Sequence, residues 1–187
     1  MYRRGILGLL VVALALLTAV AGRASAEPPV ANTPSPLEIK FRRTNDSARI
    51  DVNEKTGELI VTITSPFGIS TAEIRRTSSE WPKKVTLRLR LHGLESFRIT
   101  AGKWGLHGSV TSHSGFPRRI YLTKEGKPIG AGEQDPPAAE IKVIDAQGKP
   151  AKGLPGAGGC FEIIVPRQLL VENPETIKVG WIDFFRN

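Results

Sequence analysis

The sequence predicts an all-β fold, a single antiparallel β-sandwich of the jelly-roll or immunoglobulin-like kind. Three observations carry that expectation. Apolar residues recur with a period of two along most of the chain, as they do when one face of a strand is dry and the other wet. The periodic runs are short and are separated by turn-forming stretches such as SPFG, EWPKK, HGLE, KEGKP and DAQGKP. Helical periodicity is almost absent, and no internal repeat suggests a propeller or solenoid.

The chain of 187 residues opens with a segment that does not belong to that fold. Arg3 and Arg4 precede an apolar run from Ile6 to Val20, and Ala24-Ser25-Ala26 supplies small residues where signal peptidase cuts. The run is shorter than the roughly 20 apolar residues a membrane-spanning helix needs, so a secretory signal over 1–26 is expected, with no transmembrane span after cleavage. No cysteine lies just beyond the run, which speaks against a lipid anchor. The predicted destination is the periplasm, the cell surface or the medium. Cleavage removes Arg3, Arg4 and Arg23 and lowers the net charge from +8 to +5. That surplus favours contact with anionic envelope material and is silent about fold.

Residues 27–36 (EPPVANTPSP) hold four prolines and little to bury, and read as an extended tether. The folded body is then expected over 37–187. Leu37, Ile39 and Phe41 alternate with Glu38, Lys40 and Arg42. Ala48, Ile50 and Val52 form the next run, and Leu59, Val61 and Ile63 the third, with Gly57 suited to the left-handed position of the loop between them. Further strands are predicted over 72–76, 85–91, 96–100, 106–112, 119–124, 140–145, 160–165 and 177–185. At most one short helix is expected near 166–172, in PRQLLVENP, where Pro166 suits the first turn and Pro174 ends it. Two long connections, near 130–138 and 149–159, are of a size that is either mobile or functional.

Cys160 is the only cysteine, so there is no internal disulfide framework. It opens the β-like segment CFEIIVP and is expected to pack as a small buried hydrophobe, since nothing nearby marks an activated thiol. A body of this length buries an ordinary core without staples. With EWPKKVTLRLRLHGLE in its middle and WIDFFR at its end, the chain resembles small exported bacterial β-proteins of uncharacterised function. The resemblance implies a β fold and no activity.

Candidate chemistry is sparse. His107 and His113 lie on one face of a predicted strand. Six residues at about 3.3 Å each part them by about 20 Å, too far to share one metal ion. GLPGAGGC matches a phosphate loop only in its glycines, because it lacks the Gly-Lys-Ser/Thr that opens a helix. No metal and no cofactor are predicted. Asp183 is the one candidate catalytic residue: it shares a face with Val179, Trp181 and Phe185, and a carboxyl among apolar groups has the raised pKa of a general acid. A buried structural aspartate held by an arginine or by backbone N–H groups reads identically in sequence and is the favoured account.

Binding offers two more candidates. Trp104, set between glycines in TAGKWGLHG, with Trp81 and Tyr121, is the candidate platform for stacking sugars, against the commoner role of tryptophan in sealing a core edge. Arg88 and Arg90, with His92, form a basic comb in VTLRLRLHG opposite Val85, Leu87, Leu89 and Leu91. The comb lacks the aromatic interleaving of a nucleic-acid surface, so no nucleic-acid partner is expected, and the wet side of a strand explains it without a ligand. The expected protein is an envelope binding or structural module whose partner is a glycan or another exported protein. The alternatives are a carbohydrate-binding module using Trp104 and a hydrolase using Asp183.

Overall fold

The period-two pattern becomes twelve strands in a computed structural model that describes residues 36–66, 68–110, 117–129, 139 and 141–183. The described residues belong to the compact unit spanning Pro34–Asn187. The predicted signal, the tether apart from Pro36, His113, the 130–138 connection and Phe185 lie outside them. In chain order the strands are β1 (Leu37–Phe41), β2 (Ser47–Asn53), β3 (Glu58–Thr64), β4 (Ile69–Arg76), β5 (Lys84–Arg90) and β6 (Ser96–Ala101). They continue with β7 (Trp104–Val110), β8 (Pro117–Lys124), β9 (Lys127–Pro128), β10 (Ile141–Ile144), β11 (Cys160–Ile164) and β12 (Thr176–Ile182). A single helical turn, α1 (Arg167–Leu170), precedes β12. No helix among the described residues is long and apolar enough to cross a membrane.

Among the described residues the strands form two open sheets and no barrel. One has seven strands in the order β1-β4-β12-β6-β7-β8-β9, the other five in the order β10-β11-β5-β3-β2. Pairing is antiparallel with one exception that departs from the expected pattern: β3 and β5 run parallel, Glu58 beside Lys84 through Thr64 beside Arg90. The cause is topological. The chain leaves β3, contributes β4 to the other sheet and returns alongside β3, so β4 serves as the crossover that a parallel pair requires. Central parallel strands tend to be enclosed on two sides. Here that holds only midway along the pair: Thr62 and Thr86, on the face predicted to be wet, are 8% and 1% exposed, whereas Thr64, Lys84 and Arg90 at the strand ends are exposed.

The inward faces supply one hydrophobic cluster. Leu59, Val61, Ile63, Val85, Leu87, Leu89, Phe161 and Ile163 come from the five-stranded sheet. Ala72, Ile74, Phe97, Ile99, Leu106, Ile177, Val179 and Trp181 come from the seven-stranded one. A β-carbon at Gly108 would collide with the Phe97 ring, so only glycine lets that ring lie across β7. Gly57 has φ +64° and closes the β2–β3 loop in the predicted left-handed conformation. The 149–159 connection is pinned locally: the Asp145 carboxylate accepts from the Gln147 and Lys149 N–H groups, and Ala151 N–H donates to the Val143 carbonyl at 2.8 Å.

Strand ends differ from expectation where alternation alone is a poor guide. β7 begins at Trp104, directly after the Gly102-Lys103 turn, so Trp104 is a strand residue and not part of a connection. β9, of two residues, is too short to show a period. The helix expected in PRQLLVENP shrinks to one turn, and Asn173 already has φ +49°.

Candidate functional site

The outer face of the seven-stranded sheet holds the arrangement most suited to a ligand. Strand register sets Thr71, Gly180, Arg98, His107 and Tyr121 side by side in one row. The next row reads Lys40, Glu73, Lys178, Thr100, Gly105 and Thr123. With neighbouring strands about 4.8 Å apart, the first row is about 19 Å long. An open groove of about 470 Å³ lies over the Thr71, Gly180 and Arg98 end of that row, walled by Lys40, Phe41, Arg42, Glu73, Arg98 and Lys178 and floored by Gly180.

Gly180 shapes this groove. A β-carbon there would meet only ordinary contacts, 3.6 Å from Thr71 Cγ2 and 4.0 Å from the Arg98 carbonyl, and its φ lies outside the left-handed region. Neither packing nor backbone geometry requires glycine, and glycine inside a strand weakens it. Its effect is to remove the one side chain that would stand in the middle of the face.

The walls are cationic. Lys178 reaches Glu73 at 3.7 Å and Lys40 reaches Glu38 at 3.4 Å. Both pairs join well-exposed side chains, so they hold little energy and open readily. Neither Arg42 nor Arg98 has an acidic partner among the described residues. Beside Arg98, His107 stacks on Tyr121 with ring centroids 5.3 Å apart and planes 16° from parallel. Burial, then the Arg98 charge, pushes the His107 pKa down. Its Nε2 is enclosed with no hydrogen-bond partner among the described residues. Gly105 makes room for this pair of rows, since a β-carbon there would sit 2.5 Å from Thr123 Oγ1 and 3.3 Å from His107 Nε2.

The residues singled out in the sequence fall in four places. Trp81 and Trp104 meet the same segment: Trp81 Nε1–H donates to the Pro174 carbonyl at 2.5 Å, and Trp104 Nε1–H to Glu172 Oε1 at 3.4 Å. Both indoles are half-buried against the core cluster, and the Lys124 ammonium stands over the Trp104 ring at 5.4 Å. Lys103 also binds Glu172 at 2.6 Å, and that hydrogen bond holds the Glu172 carboxyl below its usual range. The two tryptophans thus fasten residues 172–174 to the end of the sheet. Tyr121 does not join them. It pairs with His107 while Trp104 pairs with Lys124, three residues further along β8, so alternation puts the two rings on opposite faces.

Arg88 and Arg90 lie on the outer face of the other sheet. Arg88 Nε binds Glu162 Oε2 at 2.9 Å, with side chains 37% and 15% exposed. Thr86 donates to Glu58 Oε1 at 2.9 Å, and Lys84 reaches the same oxygen at 2.8 Å. Among the described residues the comb is therefore neutralised by its cross-strand neighbours, Arg90 excepted. Cys160 is a free, buried thiol beside the comb, and burial pushes its pKa up, opposite to the shift a nucleophile needs.

Asp183 is 4% exposed and shares the inward face with Val179 and Trp181. Oδ2 accepts the His92 N–H at 3.0 Å and Oδ1 accepts the Gly93 N–H at 2.5 Å, while its own N–H donates to the Gly68 carbonyl. Burial raises its pKa, and the two backbone hydrogen bonds oppose the rise without cancelling it. The carboxylate acts as a clasp on the 91–95 turn. A second clasp, Asp46, has no signature in the sequence: it is buried and accepts from the hydroxyls of Ser65, at 2.6 Å, and Ser70. Nothing in RRTNDSAR distinguishes it from a solvated turn residue. No cluster of three His, Cys, Asp or Glu fit to hold a metal occurs among the described residues.

No protein-family model, no curated protein and no solved structure matches the chain.

Proposed function

We propose that this chain is an exported β-sandwich module of the cell envelope that binds its partner on the outer face of the seven-stranded sheet and performs no chemistry of its own. One observation carries the reading: a glycine that neither packing nor backbone geometry demands leaves the centre of a wide, cationic face without a side chain. A face under no selection to receive anything gains stability by filling that position.

The other readings draw less support. A hydrolase needs its acid within reach of substrate and a second group to act with it, whereas the Asp183 oxygens are enclosed and engaged by the backbone of the 91–95 turn. A sugar platform built on Trp104 would need flat rings exposed together, whereas Trp104 and Trp81 are committed to residues 172–174.

The test is retention of the exported protein on isolated envelope material. Gly180→Val and the Arg98→Glu, Lys178→Glu double variant are expected to lose retention, and Arg90→Glu on the other sheet to keep it. Retention that falls only with Arg90→Glu would place the binding face on the five-stranded sheet and refute the proposal.

A further inference from the structure

We propose that the groove over Gly180 seats an acidic polysaccharide, a chain of sugars bearing carboxylates, an inference that rests on the binding reading above and adds the class of ligand. The first ground is charge. Lys40, Arg42, Arg98 and Lys178 face the groove against the single carboxylate of Glu73. The two arginines are uncommitted to any acid among the described residues. A ligand carboxylate therefore meets guanidinium groups without first breaking an ion pair.

The second ground is spacing. Lys40 and Lys178 lie in register two strands apart, and Arg98 is one strand further and two residues along. At the usual strand spacing, two strands amount to about 10 Å. Backbones so spaced set the cations out across several strands instead of around a single point. A polymer with repeated charges touches them in turn.

The third ground is the floor. Thr71 and Thr100 line the groove, and their hydroxyls can exchange hydrogen bonds with sugar hydroxyls. Beyond the groove, two strands past Arg98, the row of Thr71 ends in Tyr121, which is 39% exposed and stacks on His107. Such a ring suits the apolar side of a sugar. A peptide is a poorer fit, because strand addition needs an unpaired edge and β12 is paired on both sides. A single exposed ring is likewise too little for the successive base stacking of single-stranded nucleic acid.

The test measures binding of the exported protein to three soluble polymers at physiological salt: polygalacturonate, neutral dextran and polyglutamate. Polygalacturonate is expected to bind, at least about tenfold more tightly than either of the others, a factor well outside error in such titrations. Gly180→Val is expected to reduce that affinity at least about tenfold while its melting temperature stays at or above that of the unchanged protein. Should Gly180→Val fold poorly, the exposed double change Arg98→Glu with Lys178→Glu must produce the same loss. Equal affinity for polyglutamate overturns the sugar, equal affinity for dextran overturns the acid, and undiminished polygalacturonate binding by Gly180→Val overturns the site. If polygalacturonate fails to bind while Gly180→Val still loses retention on envelope material, the ligand class is refuted and the binding face stands. If neither assay responds to Gly180→Val, both fall.

Discussion

The two sheets present outer faces built from the same alternating grammar, and they come to opposite ends. On the five-stranded sheet the charges around the comb pair in register, Arg90 excepted among the described residues: Glu58 takes Lys84 and Thr86, and Glu162 takes Arg88. That face uses its charges on itself, and the threonines between them are buried. On the seven-stranded sheet, cations outnumber carboxylates around a strand position left as glycine. The difference teaches that a basic pattern in sequence says little until the neighbouring strands are known. In the most conspicuous basic run, VTLRLRLHG, Arg88 is paired in register and Arg90 alone of the two arginines is not, while the open groove is assembled from lysines and arginines on strands far apart in sequence.

That contrast can be broken or sharpened by substitution. The largest effect is expected beneath the comb, at Leu89, which is fully enclosed. Leu89→Asp buries an unpaired charge at a cost of several kcal/mol, against a total stability of about 5–15 kcal/mol. The domain should lose its cooperative thermal transition, and a variant that melts normally would show that Leu89 is not core.

Next in size is the clasp at Asp183, which holds the His92 and Gly93 N–H groups. Asp183→Ala strands both donors and should cost roughly 2–3 kcal/mol in denaturant unfolding. A loss below about 0.5 kcal/mol, the usual scale of an inconsequential surface change, would reopen a catalytic role for the carboxylate.

The comb itself should respond unequally. Arg88→Glu sets a carboxylate against the half-enclosed Glu162. That change should cost about 1–2 kcal/mol. Arg90→Glu should stay within about 0.5 kcal/mol, as exposed substitutions usually do. Equal effects from the two, read in the same unfolding titration, would mean that the register pairing with Glu162 carries no weight.

Smaller again is the pH dependence. The Lys84 hydrogen bond, with help from Thr86, holds the Glu58 pKa below its ordinary 4.5 against the opposing pull of burial. That contribution is present above 4.5 and is lost as pH falls through the lowered value, because the unfolded chain takes up the proton first. His107, also lowered, adds to the loss from an earlier point, since the unfolded chain protonates near 6.5 while the folded ring resists. Asp183 runs the other way: its raised pKa makes its contribution complete below 3.8 and lost as pH rises through the folded value. Glu58→Gln should therefore flatten the fall in stability below about pH 4.5 and leave the His107 limb near 6.5 in place. An unchanged acid limb in that variant would contradict the assigned cause.

Much of the fold is legible because its signals are local. The alternation of Val85, Leu87 and Leu89 with Thr86, Arg88 and Arg90 requires only the strand period, and Gly57 requires only its own turn. The face of Asp183 is readable for the same reason, whereas the burial of Cys160 is readable from the apolar character of its own side chain. Pairing is not readable. The parallel register of β3 and β5 depends on where β4 goes, and the burial of Thr86 depends on Glu58, which sits 28 positions earlier. The groove is the least legible feature, since Lys40, Arg98, Lys178 and Gly180 come together only through the order of β1, β4, β12 and β6. Gly180 in IKVGWIDFF reads as one more outward position.

If Gly180 is kept for a ligand and not for the fold, replacing it must separate binding from stability. The most direct measurement pairs unfolding free energy with polygalacturonate affinity for Gly180→Val. Filling a strand position with a β-branched residue should leave stability unchanged or raise it by up to about 1 kcal/mol, while affinity collapses. A Gly180→Val protein that is destabilised by more than about 1 kcal/mol, as overpacking would make it, or that binds as the unchanged protein does, would contradict the claim.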